Sequence, residues 1–298
     1  MPPKPIPFAT ASRGTYTSRF LAAPSSVPAL RLLQSGRVEH AAPGIRRLLD
    51  YTPEINQDAF ATDNAARASV LVPLCVNEQT GEIDILFTVR SKKIKSFPDE
   101  VALPGGRMDP QDLDPVYTAV REAREEIGLK PNQIEIVTRL VGFMSRNALL
   151  VTPIVAFIPP VKTQHPDQEF RPEINPQEVD HIFYAPLSTL FDSKRHRTEK
   201  TQNSPARHAF DLPTGHITFG LTAHILVHLA SVFTGGDRLL PYSTFGAFPA
   251  DERMFLTSRA RHEEMRKKGE TFADDERRRR EREMKKGQGL FGGVKPKV

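Results

Sequence analysis

Glu122, Glu125 and Glu126 carry the spacing most suggestive of chemistry in this chain. Steps of three and four residues place side chains beside one another on a single helix face. Three carboxylates near a helix C-terminus repel each other and meet the negative end of the helix dipole, each effect costing about a few tenths of a kcal/mol. Something positive has to offset them. Arg121 and Arg124 could do so within the helix, leaving an ordinary solvated acidic face. The segment just upstream, VALPGGRMDPQDLD, favours a different answer. Its Pro-Gly-Gly forces an irregular loop, and Gly105 and Gly106 let a backbone carbonyl turn inward beside the carboxylates. Carboxylates, one carbonyl and water form an all-oxygen donor set suited to Mg²⁺ or Mn²⁺, hard cations that also grip phosphate.

The element that must position these groups has both its ends in the sequence. In DPVYTAVREAREEIG, Asp114 is a capping residue, Pro115 suits the first turn and Gly128 suits a left-handed exit. Val116, Ala119, Val120, Ala123 and Ile127 recur at helical spacing and supply a core-facing stripe. Around this helix, ASVLVPLCV reads as a buried strand from near Ala66, EQTG as a turn at Gly81, and EIDILFTVR as the returning strand of a hairpin. TRLVGFMS and LLVTPIVAFI are further strand candidates, and GHITFGLTAHILVHLASVF ends the compact region as an apolar helix. Interleaved strands and helices predict a layered α/β domain over 61–236.

The segment GGRMDPQDLDPVYTAVREAREEIGL resembles a Nudix box. Arg121 to Leu129 fits the family pattern at every fixed position. The first half departs from it: Gly106 precedes Arg121 by 15 positions rather than the usual 14, and Leu113 stands in the register of the usual loop Glu. Asp112 and Asp114 are the alternatives for that role. The resemblance implies a three-layer α/β/α sandwich with a mixed β-sheet, in which Glu122, Glu125, Glu126 and the Gly105 carbonyl hold a divalent metal, Mg²⁺ or Mn²⁺. Arg121 would orient the acidic residues by ion pairing. Glu122 is the first candidate for the catalytic base and Glu178 the second.

The flanks narrow the substrate. DILFTVRSKKIKSFPDEVALPGG is similar to the segment that coenzyme A diphosphatases carry before the box, with Thr88, Arg90 and Ser91 at a strand end. INPQEVDHIFYAPLSTLF and ITFGLTAHILVHLA resemble that subfamily's closing segments, so the likeness covers roughly Ala66 to Val232. Phe97, Asp99 and Leu103 depart from its common residues, which are His, Gly and Phe. Coenzyme A or acyl-CoA would offer a diphosphate and a 3′-phosphate to Arg90, Lys92 and Lys93, with Gly106 against the substrate. The products would be 3′,5′-ADP and 4′-phosphopantetheine or its acylated form. The alternatives are a Nudix enzyme of another substrate, such as ADP-ribose, a dinucleotide or an oxidised nucleotide, and a non-enzymatic scaffold that binds nucleic acid or a partner through its basic tail.

The remaining residues have plainer readings. Asn175, Pro176 and Glu178 look like a turn and helix start with Pro176 first in the helix. His216, His224 and His228 are read as packing residues on or near the final helix, and Cys75 as a small buried hydrophobe. Lone Cys75 excludes an internal disulfide, and no apolar run reaches the roughly 20 residues needed to span a bilayer. The net charge of +5 is concentrated at the ends. From Met1 to Val38 there is no acidic residue, so segment 1–60 reads as a basic, Pro/Ser-rich leader, either mitochondrial transit-like or plainly flexible. Mitochondria are the expected location, with peroxisome or cytosol as alternatives; Pro296-Lys297-Val298 is not a Ser-Lys-Leu type signal. Segment 237–298 reads as a charged, partly helical tail, favouring a solvated extension over a nucleic-acid contact. Nothing in the sequence dictates an oligomeric state.

Overall fold

The computed structural model describes residues 38–53, 66–145, 149–160, 170–201 and 204–236. The transit-like segment before residue 38 and the charged tail 237–298 lie outside the described residues. The expected hairpin is present: β1 (Arg67–Val76) and β2 (Ile83–Arg90) pair antiparallel, Cys75 opposite Asp84, across a turn in which Gly81 takes φ 73°. Two short strands follow, β3 (Val101–Ala102) on β2 and β4 (Gly105–Arg107) on β1. After the acidic helix come β5 (Glu135–Arg139), β6 (Phe143–Met144), β7 (Leu150–Phe157) and β8 (Val179–Pro186). β7 lies parallel to β1 while the other pairings are antiparallel, so the sheet is mixed.

Side-chain alternation on these strands builds two separate cores. Leu71, Cys75, Leu86, Ile154 and Ala156 face one way, where Ala119, Ala123 and Ile127 of the acidic helix cover them. Val72, Leu74, Ile85, Phe87, Val155 and Phe157 face the other way. Their cover is α1 (Ala42–Asp50) and the final helix, which supply Ile45, Leu48, Leu226 and Phe233. The acidic helix is α2 (Pro115–Ile127) and the final helix α3 (Gly220–Thr234). This is an α/β/α sandwich. A second sheet of β9 (His196–Thr201), β10 (Ser204–Asp211) and β11 (Ile217–Phe219) runs in the order β11-β10-β9 and leads into α3.

Four details differ from the sequence reading. α1 falls inside the segment assigned to the leader, yet Ile45 and Leu48 are fully buried, because Gly44 lets Phe233 of α3 sit directly on the helix backbone. The strand expected over Thr138–Ser145 starts earlier, at Glu135, and breaks at Leu140–Gly142 before resuming at Phe143. No helix begins at Pro176: the Asn175 side chain accepts from the Gln177 amide at 3.1 Å, making a turn, and the Asn175 carbonyl accepts from Glu178 and Val179. The alternating, β-branched run after it then pairs with β2 as a strand. Finally, α3 starts at Gly220 rather than Gly215, since Ile217–Phe219 is taken by the second sheet. No helix of the described residues is long and apolar enough to cross a membrane.

Candidate active site

Helix α2 has the ends expected of it. The Asp114 carboxylate accepts from the Tyr117 amide at 2.8 Å, Pro115 opens the first turn, and Gly128 exits at φ 74°. The helix C-terminus is closed by another part of the chain. Glu173 N–H donates to the Ile127 carbonyl at 3.0 Å and Asn175 N–H to the Glu126 carbonyl at 2.9 Å. These bonds satisfy carbonyls that a helix end leaves without partners. They also carry the 173–178 segment, with Glu178, against the acidic face. Ser91, at the end of β2, holds that segment from its other side, with its amide on the Glu178 carbonyl and its hydroxyl on the Pro176 carbonyl.

Glu126 is only 6% exposed. One of its carboxylate oxygens accepts from the Gly105 amide at 3.1 Å, and burial pushes its pKa up to about 8 against the pull of that amide and of Arg90. Glu122 is also raised, mainly by burial, with Arg121 opposing and the charges of Glu125 and Glu178 adding to it. Glu122, Glu126 and Glu178 therefore share one negative field, with Glu178 entering from a different element. The Gly-Gly pair makes room for them. A side chain at Gly105 would collide with the Ser69–Val70 backbone, and a Cβ at Gly106 would lie 2.5 Å from a Glu122 oxygen.

Arg121 organises the other side. Its guanidinium grips Asp112 with two bonds, Nε to Oδ1 at 2.9 Å and Nη2 to Oδ2 at 2.8 Å, and donates to the Arg107 carbonyl at 2.9 Å. Nη1 reaches both Glu122 and Glu125 at 3.0 Å. Asp112 is buried, accepts from Thr118 Oγ1 and the Asp109 amide, and is held below its ordinary pKa by the Arg121, Asp109 and Thr118 hydrogen bonds despite burial. Of the two alternatives for the loop acid, Asp112 is thus the arginine's partner, while Asp114 is spent on capping. Relative to the usual spacing, the additional residue falls between Asp112 and Arg121. It is absorbed by extruding Leu113, which is 70% exposed.

The structure brings Glu122, Glu126, Gly105, Gly106 and Arg90 together. Arg90 Nε donates to the Ser96 carbonyl at 3.3 Å, and its charge acts on Glu126. Glu125 points outward to Arg121, and Lys92 is not drawn in: its ammonium lies 3.9 Å from Asp99 on the loop rim. Gly105 meets Glu126 through its amide rather than its carbonyl. Sequence reasoning missed how closely Glu178 is tied to the cluster, since only the register of β8 on β2 and the capping of α2 bring it there. Among the described residues, no three His, Cys, Asp or Glu side chains surround a common point as metal ligands. The physical reason is Arg121, which supplies the counter-charge to Glu122 and Glu125. The donor set nevertheless fits a hard divalent cation: it is all oxygen, it is backed by two glycines, and the Glu126 charge is poorly compensated.

Of the three histidines read as packing residues, His224 and His228 lie on α3, where burial holds His228 down to about 4 and Tyr51 Oη lies 3.0 Å from its Nε2; His216 lies in the turn before β11. Burial likewise raises the Cys75 thiol to about 12, the Asp84 charge adding to it.

The NUDIX domain matches residues 65–207. The peroxisomal coenzyme A diphosphatase NUDT7 of Mus musculus is 35% identical over 198 residues, which cover 63% of this chain and 80% of that protein. Nudix hydrolase 15, mitochondrial, of Arabidopsis thaliana is 37% identical over 172 residues, covering 56% of this chain and 58% of that protein. The uncharacterized Nudix hydrolase NudL of Photorhabdus laumondii is 34% identical, covering 57% and 86%. Among solved structures, a Nudix hydrolase from M. Smegmatis, RenU, covers 59% of this chain and 89% of its own at 17% identity and a TM-score of 0.39. The chain belongs to the Nudix family of hydrolases, enzymes that act on diphosphate linkages with the help of a divalent metal ion.

Proposed function

We propose that the chain hydrolyses the diphosphate of coenzyme A or acyl-CoA with Mg²⁺ or Mn²⁺, releasing 3′,5′-ADP and 4′-phosphopantetheine or its acyl form. The observation that carries the reading is the convergence of Glu122, Glu126 and Glu178 beside Gly105 and Gly106, with Arg90 next to them. When bound, the divalent cation withdraws charge from the diphosphate oxygens and makes water more acidic. Glu122 and Glu126 would hold it, together with Glu125 and the Gly105 carbonyl, although here Glu125 is engaged by Arg121 and the Gly105 amide by Glu126. Glu122 accepts the proton from the attacking water, its affinity for a proton raised by burial; Glu178 is the second candidate for that base. Arg121 keeps its two bonds to Asp112 and so orients Glu122 from behind. Water adds across one P–O bond of the anhydride, and both products leave as phosphate monoesters. Arg90 pairs with substrate phosphate, Gly106 leaves space for it, and Lys92 reaches it from the rim.

The coenzyme A assignment rests on the pre-box segment through Thr88, Arg90 and Ser91, and on the named activity of the mouse relative. A mitochondrial location is proposed from the acid-poor composition of residues 1–37 and is in keeping with the name of the Arabidopsis relative. Turnover by the purified full chain should be measured with coenzyme A, acyl-CoA, ADP-ribose, dinucleotides and oxidised nucleotides, in Mg²⁺ and in Mn²⁺. The highest kcat/KM is expected for coenzyme A or an acyl-CoA. A clear preference for ADP-ribose would replace the substrate while leaving the metal-dependent hydrolysis standing.

A further inference from the structure

Away from the carboxylates, two imidazoles meet at their outer nitrogens. His181 of β8 and His216 of the turn before β11 place Nε2 against Nε2 at 3.2 Å. Each ring is fixed from behind. His181 Nδ1 lies 2.8 Å from the Asp180 carboxylate, and His216 Nδ1 lies 3.0 Å from Thr214 Oγ1. Metal-binding histidines are characteristically backed at the other nitrogen by a carboxylate or similar oxygen, which sets tautomer and ring orientation. The His216 ring is held further by stacking on Phe183, centroids 4.0 Å apart and planes 7° from parallel.

The backbone is shaped to produce this pair. Val179 opposes Arg90 and His181 opposes Val89, so Asp180 is the additional residue of a β-bulge. Bulges redirect side chains, and this one leaves Asp180 bonded to the imidazole of its own neighbour. With Asp180 keeping a proton on His181 Nδ1, the His181 Nε2 lone pair points at His216. Burial and the neighbouring His181 hold His216 below its ordinary pKa while Asp99 opposes them, favouring the neutral ring. Asp180 places a negative charge directly beside the pair, and Asp99, itself facing the Lys92 ammonium at 3.9 Å, also acts on His216.

We propose that His181 and His216 form a transition-metal site, suited to Zn²⁺ and separate from the hard-cation cluster on α2, that ties β8 to the β10–β11 turn. With metal–nitrogen bonds of about 2.0–2.1 Å, the 3.2 Å separation corresponds to an N–metal–N angle of about 103°, close to tetrahedral. Imidazole ligands select Zn²⁺, Cu²⁺ or Ni²⁺ over Mg²⁺, so the two sites sort cations by ligand chemistry. Water completes the coordination, as no third protein ligand converges among the described residues.

The test is a zinc titration of the full chain in excess Mg²⁺, read by calorimetry and by the zinc-induced rise in Tm. Wild type and Glu126→Gln are expected to bind Zn²⁺ alike. His181→Ala and His216→Ala should each lose at least about tenfold in affinity. His216→Asn, a milder change in a partly exposed turn, should do the same if the alanine variant proves unstable. Asp180→Asn should weaken binding while leaving the fold intact. The proposal is overturned if no zinc binding is seen, which would leave the pair as a hydrogen-bonded contact only. It is equally overturned if binding survives both histidine changes, or is lost in Glu126→Gln.

Discussion

The two faces of the central sheet solve opposite problems. On one, α1 and α3 bury Ile45, Leu48, Leu226 and Phe233 in a largely apolar layer, where the half-buried His228 is met by Tyr51. On the other, α2 presents a small-residue stripe, Ala119 and Ala123, to the sheet and gathers carboxylates, two of them largely buried, against their mutual repulsion. Stability is concentrated in the first layer and reactivity in the second. Changes on the two faces should therefore separate turnover from fold.

The sharpest break is expected at Glu126. Glu126→Gln should lower kcat by roughly two orders of magnitude or more, because it removes a proposed metal ligand. The metal-free fold should not suffer. Folding raises the Glu126 pKa to about 8, so between the ordinary carboxylate range and pH 8 the folded chain binds more protons than the unfolded one. The contribution of Glu126 to wild-type stability then falls as pH rises through that window. Denaturant melts in chelator should show the variant gaining on wild type towards pH 9; a variant that loses stability there would contradict the assigned burial.

The converse is Leu48→Ala, which empties a fully buried site and should cost about 2–5 kcal/mol in a urea melt. Its kcat, corrected for the folded fraction, should stay unchanged. A large kcat effect would mean that α1 is coupled to the acidic face. The smallest effect concerns the loop between β2 and β3. Asp99 sits at φ 63°, a left-handed conformation that glycine adopts without a Cβ penalty. Asp99→Gly should stabilise by about 0.5–1 kcal/mol. The exposed Lys92 pair that it sacrifices contributes little.

What the sequence disclosed follows from how local each signal is. The cap at Asp114, the exit at Gly128 and the turn at Gly81 are decided within a few residues, so they can be read directly. The second sheet could not be read, because β9 and β10 mix Arg, Lys, Glu and His with few apolar positions and show no clean alternation. α1 escaped notice because it is only nine residues long and lies inside a segment whose composition reads as a leader, although Ile45 and Leu48 do fall on one face. At the site, the glutamates on α2 were legible from spacing. Asp112 was left as one of two candidates because the irregular loop hides which acid faces Arg121. The convergence of Glu178 on Glu122 and Glu126 depends on strand pairing, which no local pattern encodes.

The amide of Asn175 is fastened to the carbonyl of Glu126 itself. A main-chain tether thus joins the residue bearing one carboxylate to the short turn bearing Glu178. Nearby side chains can be exchanged without loosening it, and displacement of that turn must drag the last turn of the acidic helix along. Loop and helix would respond to an occupant as one mechanical part.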